Sequence, residues 1–162
     1  MVRKVKSLAQ SFKFAFRGIF FCIKNERNMR IHLTAAAYVL IFSVFYNFSS
    51  SQYLIIFLTI GMVLSAEALN TAVEALVNLE TQSYDSLARI AKDAAAGAVL
   101  ICAAFAFVVG IILYLKPDII AHIINFLLQN VFWGILFILS LPASAVFIFG
   151  IPSGTALFRR KI

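Results

Sequence analysis

Residues 66–80, "AEALNTAVEALVNLE", place Glu67, Asn70, Glu74 and Asn78 at steps of three and four, so on a helix the four polar side chains share one face. The stretch before them, "YLIIFLTIGMVLS", has the uninterrupted apolar character of a membrane span. A charged side chain inside a span costs on the order of 2.5–3.5 kcal/mol even on the lenient insertion scale. Two carboxylates on one stripe therefore need a cation, a metal or a partner helix, and the stripe cannot face lipid. A carboxylate so placed can take a proton from a hydroxyl or bind a hard divalent ion.

Two further stretches add to this inventory. "SYDSLARIAKDAAAGAVL" supplies Asp85, Arg89, Lys92 and Asp93 ahead of another apolar run, and "NERNMRIH" places Glu26 among cations. A candidate base, carboxylates for a divalent ion and lysines for phosphate are what phosphoryl transfer to a lipid hydroxyl requires, because that chemistry rests on positioning and charge neutralisation. The chain carries no Walker motif or kinase glycine loop, so a nucleotide has to be held by the end of a helical bundle. Two other readings fit the stripe alone: a polar clasp between helices, with one glutamate protonated, and a proton relay in a small transporter. Neither accounts for the charged groups around residues 85–93.

The elements that must position these groups are helices in a membrane. Of 162 residues, 62% are hydrophobic and 13% charged, which excludes an ordinary soluble domain. Apolar runs at 31–47, 53–77, 94–115 and 124–149 predict four spans. Eight of the fourteen basic residues, Arg3, Lys4, Lys6, Lys13, Arg17, Lys24, Arg27 and Arg30, precede the first run. Arg89 and Lys92 lie between the second and third, and Arg159, Arg160 and Lys161 close the chain. The positive-inside rule then puts both termini and the 78–93 loop in the cytoplasm, with the acidic stripe running toward the same side.

Ahead of the spans, Val5, Leu8, Phe12, Phe16, Ile19 and Ile23 recur at helical steps while Lys4, Lys13, Arg17 and Lys24 point elsewhere. That is the pattern of a helix lying in the interface with its cations toward anionic headgroups, and no nucleic-acid partner is expected; a simple surface anchor and a catalytic role account for it equally well. The small residues of "IHLTAAAYVL" open the first apolar run instead of closing it, so no cleaved signal peptide is expected. Cys22 and Cys102 fall at different depths and read as packing residues, not a disulfide.

"EALNTAVEALV", followed by "ARIAKDAAAGAVL" and preceded by "NERNMRIHLTAA", resembles the prokaryotic diacylglycerol kinase and undecaprenol kinase family of small integral-membrane lipid kinases, over roughly residues 10–115. The resemblance implies that Glu67 is the general base and that Glu26 and Glu74 hold the catalytic Mg2+ with ATP. It further implies that Lys92 and Asp93 engage the nucleotide, that Ser83, Tyr84 and Asp85 sit near the adenosine, and that Asn70 and Arg30 join Glu67 at the lipid substrate. It also implies a homotrimer in the bacterial inner membrane. Asn78 departs from the family pattern, which usually has aspartate there. "RNMRIHL" and "AKDAAAGAVL" look closer to the undecaprenol branch, so undecaprenol is the preferred acceptor and diacylglycerol the alternative.

The expected architecture is all-α: a polytopic bundle with an interfacial amphipathic helix over 1–30, a three-span core over 31–115, and a fourth span with a basic tail over 116–162. Pro142 is expected to kink that fourth span, which carries no acidic group and is read as packing beside the bundle.

Overall fold

The computed structural model describes residues 8–80 and 86–150; Ser83, Tyr84 and Asp85, expected beside the adenosine, lie outside these. Among the described residues the chain is helical throughout, with six helices: α1 (Leu8–Asn25), α2 (Arg27–Ser43), α3 (Ser50–Glu80), α4 (Ser86–Tyr114), α5 (Pro117–Gln129) and α6 (Val131–Phe149). α1 has the expected amphipathic character: Leu8, Phe12, Phe16 and Ile19 are exposed, and Cys22 near its end is buried. An exposed aromatic and aliphatic row beside cations fits a helix seated in the headgroup region.

One residue separates α1 from α2. Glu26 is extended (φ −105°, ψ 119°), and it occupies the N-cap of α2 without spending its side chain on the cap. Its N–H still bonds the Cys22 carbonyl at 2.8 Å, so the backbone bends at an elbow while the Glu26 carboxylate stays available.

Three described helices are long and apolar enough to cross a membrane: α3 over Ser50–Leu79, α4, and α6. α2, the first expected span, has 17 residues, about 25 Å of helix at 1.5 Å per residue, against a hydrocarbon core of about 30 Å. It ends at Ser43 because Phe45 and Tyr46 close tighter bonds, to Phe42 and Ser43, and Asn47 turns the chain with φ 46°, a conformation asparagine adopts more readily than most residues.

The apolar run expected as one span over 124–149 is broken. Asn130 is non-helical (φ −106°, ψ 85°), its side-chain amide bonds the Phe126 carbonyl at 2.8 Å, and α5 and α6 are separate helices. Gly134 allows the corner, since a Cβ there would stand 2.6 Å from the Leu127 carbonyl oxygen. α6 itself continues as one helix through Pro142.

α3 and α4 pack together most extensively, α2 packs on α3, and α6 packs on α2 and α5. At one end an aromatic cluster of Tyr46, Phe48, Tyr53 and Tyr114 ties the helices, with the Tyr46 hydroxyl donating to the Tyr114 carbonyl (2.8 Å) and the Tyr114 hydroxyl to Val39 (2.9 Å). Such amphipathic rings mark a membrane–water boundary.

Candidate active site

The buried face of α3 is a single line. Ile56 and Val63 are 2% and 7% exposed, and Glu67, Asn70 and Thr71 continue them at 1%, 8% and 6%. Apolar residues thus give way to polar ones along one helical stripe, about 21 Å from Tyr53 by helical rise. Glu74 is half-buried and Asn78 exposed, so the stripe surfaces at the end away from the aromatic cluster.

The α1–α2 elbow covers this stripe. Glu67, Glu74 and Glu26 are near enough for their charges to interact. Burial pushes the Glu26 carboxyl above its ordinary range, the neighbouring Glu74 carboxylate adds to that, and the Arg30 guanidinium partly offsets it. Cys22, beside Thr71, has its thiol raised by burial and, to a lesser extent, by Glu26 and Glu67, which leaves it a packing residue and not a nucleophile.

The hydrogen bonding is incomplete in an informative way. The Asn70 amide donates to Glu74 Oε1 at 3.4 Å, and the Thr71 hydroxyl donates to the Glu67 backbone carbonyl at 3.0 Å. Glu67 Oε2 and Asn70 Oδ1 are buried with no partner among the described residues. Leaving a buried acceptor unpaired costs on the order of 1–3 kcal/mol, more for a charge, so both atoms are poised for an incoming donor.

Glu67 and Asn70 line a cleft of ≈ 300 Å³ together with Asn28, Ile31, His32 and residues of α4. His32 and Ala103 also line a second, apolar groove of ≈ 620 Å³ that runs between α2, α3 and α4 past Ile56, Ile60 and Gly110 to Tyr114. The two share His32 and Ala103, so the apolar groove adjoins the cleft at the carboxylate end of the stripe.

The expected site residues divide into groups. Glu26, Glu67, Asn70 and Glu74 are brought together. Lys92 is near the stripe's exposed end, its ammonium donating to Asn78 Oδ1 at 2.7 Å, and Asp93 pairs with Arg89 at 3.7 Å on the exposed side of α4. Arg30 is not among the residues lining the cleft. It is 1% exposed and donates to the carbonyls of Ile23, Lys24 and Ile148. Among the described residues no group of three or more His, Cys, Asp or Glu is gathered tightly enough to hold a metal ion by itself; Glu26 and Glu74 offer two carboxylates whose mutual repulsion a cation would relieve.

Sequence reasoning missed His32 and Thr71. His32 shares its α2 face with Ala35, Ala36 and Val39, and that spacing was the signal available. Thr71 follows Asn70 directly and carried none.

A family model described as prokaryotic diacylglycerol kinase matches residues 13–114, from within α1 to the end of α4. The undecaprenol kinase of Bacillus subtilis (strain 168) is 43% identical over 106 residues, 65% of this chain and 86% of that protein. The diacylglycerol kinase of Synechocystis sp. (strain ATCC 27184 / PCC 6803 / Kazusa) is 39% identical over 112 residues, 68% of this chain and 64% of that protein. No solved structure matches.

Proposed function

The chain belongs to the prokaryotic diacylglycerol kinase family of membrane lipid kinases, and on that footing we propose that it transfers the γ-phosphoryl group of ATP to the hydroxyl of a polyprenol, undecaprenol, at the cytoplasmic face of the bacterial inner membrane. The observation that carries this reading is Glu67: a buried carboxylate with an unpartnered oxygen, lining a cleft that adjoins an apolar groove at His32 and Ala103. The apolar groove suits the hydroxyl-proximal part of a lipid tail, and the terminal hydroxyl suits the unpaired acceptor.

In this reading the groove holds the acceptor chain and Glu67 takes the hydroxyl proton as the oxygen attacks phosphorus, the role of a general base. Asn70 fixes Glu74 through its amide and keeps its own carbonyl oxygen toward the acceptor. Glu26 and Glu74 are the pair we assign to the Mg2+ that accompanies ATP, an ion that supplies charge neutralisation on the phosphates. Lys92 meets phosphate as a point charge, Asp93 lies beside it, and Ser83, Tyr84 and Asp85 are assigned to the adenosine. Both termini face the cytoplasm and the working unit is a homotrimer, which covers part of the exposed apolar surface of α4, where Leu100 and Phe107, seven residues apart on one face, are 71% and 69% exposed.

Undecaprenol is favoured over diacylglycerol by the identity to the Bacillus subtilis undecaprenol kinase, which is matched along 86% of its length. The experiment is a competition: purified protein with labelled ATP and equal amounts of undecaprenol and diacylglycerol in one mixed micelle. Label predominantly in undecaprenyl phosphate is expected. Label predominantly in phosphatidate overturns the choice of acceptor, and no transfer to either lipid overturns the kinase reading.

A further inference from the structure

Arg30 is completely buried, yet the side chain lies outside the cleft that holds Glu67 and Asn70. It bridges two helix ends. The last carbonyls of α1 lack partners within their own helix. Cys22 O is taken by the Glu26 N–H, and Ile23 O and Lys24 O are taken by the Arg30 guanidinium at 3.1 and 3.0 Å. The same guanidinium reaches 118 residues along the chain to donate to Ile148 O, in the final turn of α6, at 3.1 Å. A cation at the negative ends of two helix dipoles is favourably placed, and the planar fork of arginine serves both directions at once.

α6 is held to α2 at a second level as well. The Tyr38 hydroxyl lies 2.9 Å from Ser140 Oγ and 3.0 Å from Ser144 Oγ, and the rings of Tyr38 and Phe42 pack edge-on against Phe137. Tyr38 stands two turns beyond Arg30 on α2, and Ser140 and Ser144 two turns and one turn before Ile148 on α6. The contacts form one antiparallel zipper that ends at the elbow carrying Glu26. α6 lies outside the segment matched by the family model.

We propose that α6 is a strut for the nucleotide half of the active site: acting through Arg30, a positioning residue, it fixes the α1–α2 elbow and thereby the place of the Glu26 carboxylate opposite Glu74. The proposal rests on the kinase reading, in which Glu26 acts with the metal–nucleotide complex. It makes the C-terminal helix a determinant of nucleotide use and not of lipid recognition.

The test is kinetic and structural, on the full chain. Arg30→Lys keeps the charge but loses the fork; Tyr38→Phe with Ser144→Ala opens the second latch without touching the elbow. Arg30→Lys is expected to raise KM for Mg-ATP on the order of 10- to 100-fold, the usual loss when a ligand's supporting partner is removed, and to leave KM for the lipid within about twofold. The latch variant shifts the same constant in the same direction, less strongly. In a Glu26→Gln background Arg30→Lys has no further effect, because it acts through Glu26. Hydrogen exchange at the amides of 25–27, read without nucleotide, is faster in both variants.

Equal rises in the two Michaelis constants, additive effects of Arg30→Lys and Glu26→Gln, or unchanged exchange at the elbow in the latch variant overturn the strut. Should Arg30→Lys fail to assemble, the latch variant's exchange and Michaelis constants decide. Wild-type protein that transfers no phosphate to lipid refutes the underlying kinase reading instead, so the two failures are distinct.

Discussion

Glu67→Gln is the most direct probe of the site. The side chain is 1% exposed and its Oε2 has no partner among the described residues, so the isosteric amide fits the same space and removes a charge, not a contact. Assembly and thermal stability should therefore hold, while the proton acceptor is lost. A removed general base costs on the order of 10²–10⁴ in turnover, about 3–5 kcal/mol of barrier at 1.36 kcal/mol per decade. Glu67→Asp keeps the base but withdraws it by about one methylene; a displacement near 1 Å can cost on the order of 10², so it should fall between wild type and the amide. The assay is phosphoryl transfer from labelled ATP under saturating lipid and nucleotide, with melting curves to confirm that each variant is folded. A folded Glu67→Gln protein with turnover within a few-fold of wild type refutes the assignment of Glu67 as base.

The remaining expectations concern the groups around it. Glu26 has its carboxyl raised by burial and by Glu74, so ionised Glu26 weighs against the fold. The stability conferred by its protonated form is fully present below the ordinary glutamate value of about 4.3 and is lost as pH rises through the raised value. Glu26→Gln should therefore melt higher than wild type at neutral pH without nucleotide, with the gap closing on acidification, yet need more Mg2+ for activity; an equal or lower melting point at neutral pH counts against this. Lys92→Ala should raise KM for ATP and leave KM for lipid unchanged, since lysine meets phosphate as a point charge; an unchanged KM for ATP would show that the nucleotide lies elsewhere. Glu67→Gln and Asp93→Asn, each expected to be inactive alone, should recover a sizeable fraction of activity when unfolded together and reassembled as mixed oligomers, because Asp93 lies on the exposed side of α4 where a neighbouring chain can use it. Background activity in demonstrated mixed oligomers would place both residues in one chain.

The stripe on α3 was legible because helical spacing alone puts Glu67, Asn70 and Glu74 on one face, and lipid cannot accept them there. α1 was legible for a similar reason, as cations and aromatics separate at a helical period. The break at Asn130 was not read: Asp118, His122, Asn125 and Gln129 fall at helical steps on one face of α5, but the largely apolar α6 that follows lets the two helices pass as one span. The role of Arg30 was hidden more deeply. The family resemblance places Arg30 at the lipid substrate and "NERNMRIH" shows it only as a cation among others, whereas three of its hydrogen bonds go to backbone carbonyls, one of them 118 residues away. Backbone acceptors leave no trace in a sequence pattern. α6 was expected to pack beside the bundle and does so against α2, but its link to the elbow required that tertiary contact.

The position of Glu67 along its helix also bears on why one carboxylate is sunk so deep while its neighbours surface. Ser50 to Glu67 spans about 26 Å at 1.5 Å per residue, so an upright α3 that enters the hydrocarbon at Ser50 carries Glu67 close to the far edge of a core of about 30 Å. A lipid alcohol keeps its tail in hydrocarbon and its hydroxyl at that edge, whereas a nucleotide triphosphate cannot leave water. A base that serves both must sit on the boundary, with an apolar approach from one side and charged groups on the other. The stripe supplies this gradient in about four helical turns: Val63 buried among apolar side chains, Glu67 and Asn70 buried with unpaired acceptors, then half-buried Glu74 and exposed Asn78 with Lys92. Shifting the carboxylate one turn toward Val63 would move it about 5.4 Å away from Glu26 and Glu74, and one turn the other way would expose it to water, where the hydroxyl of a lipid held in the groove does not reach.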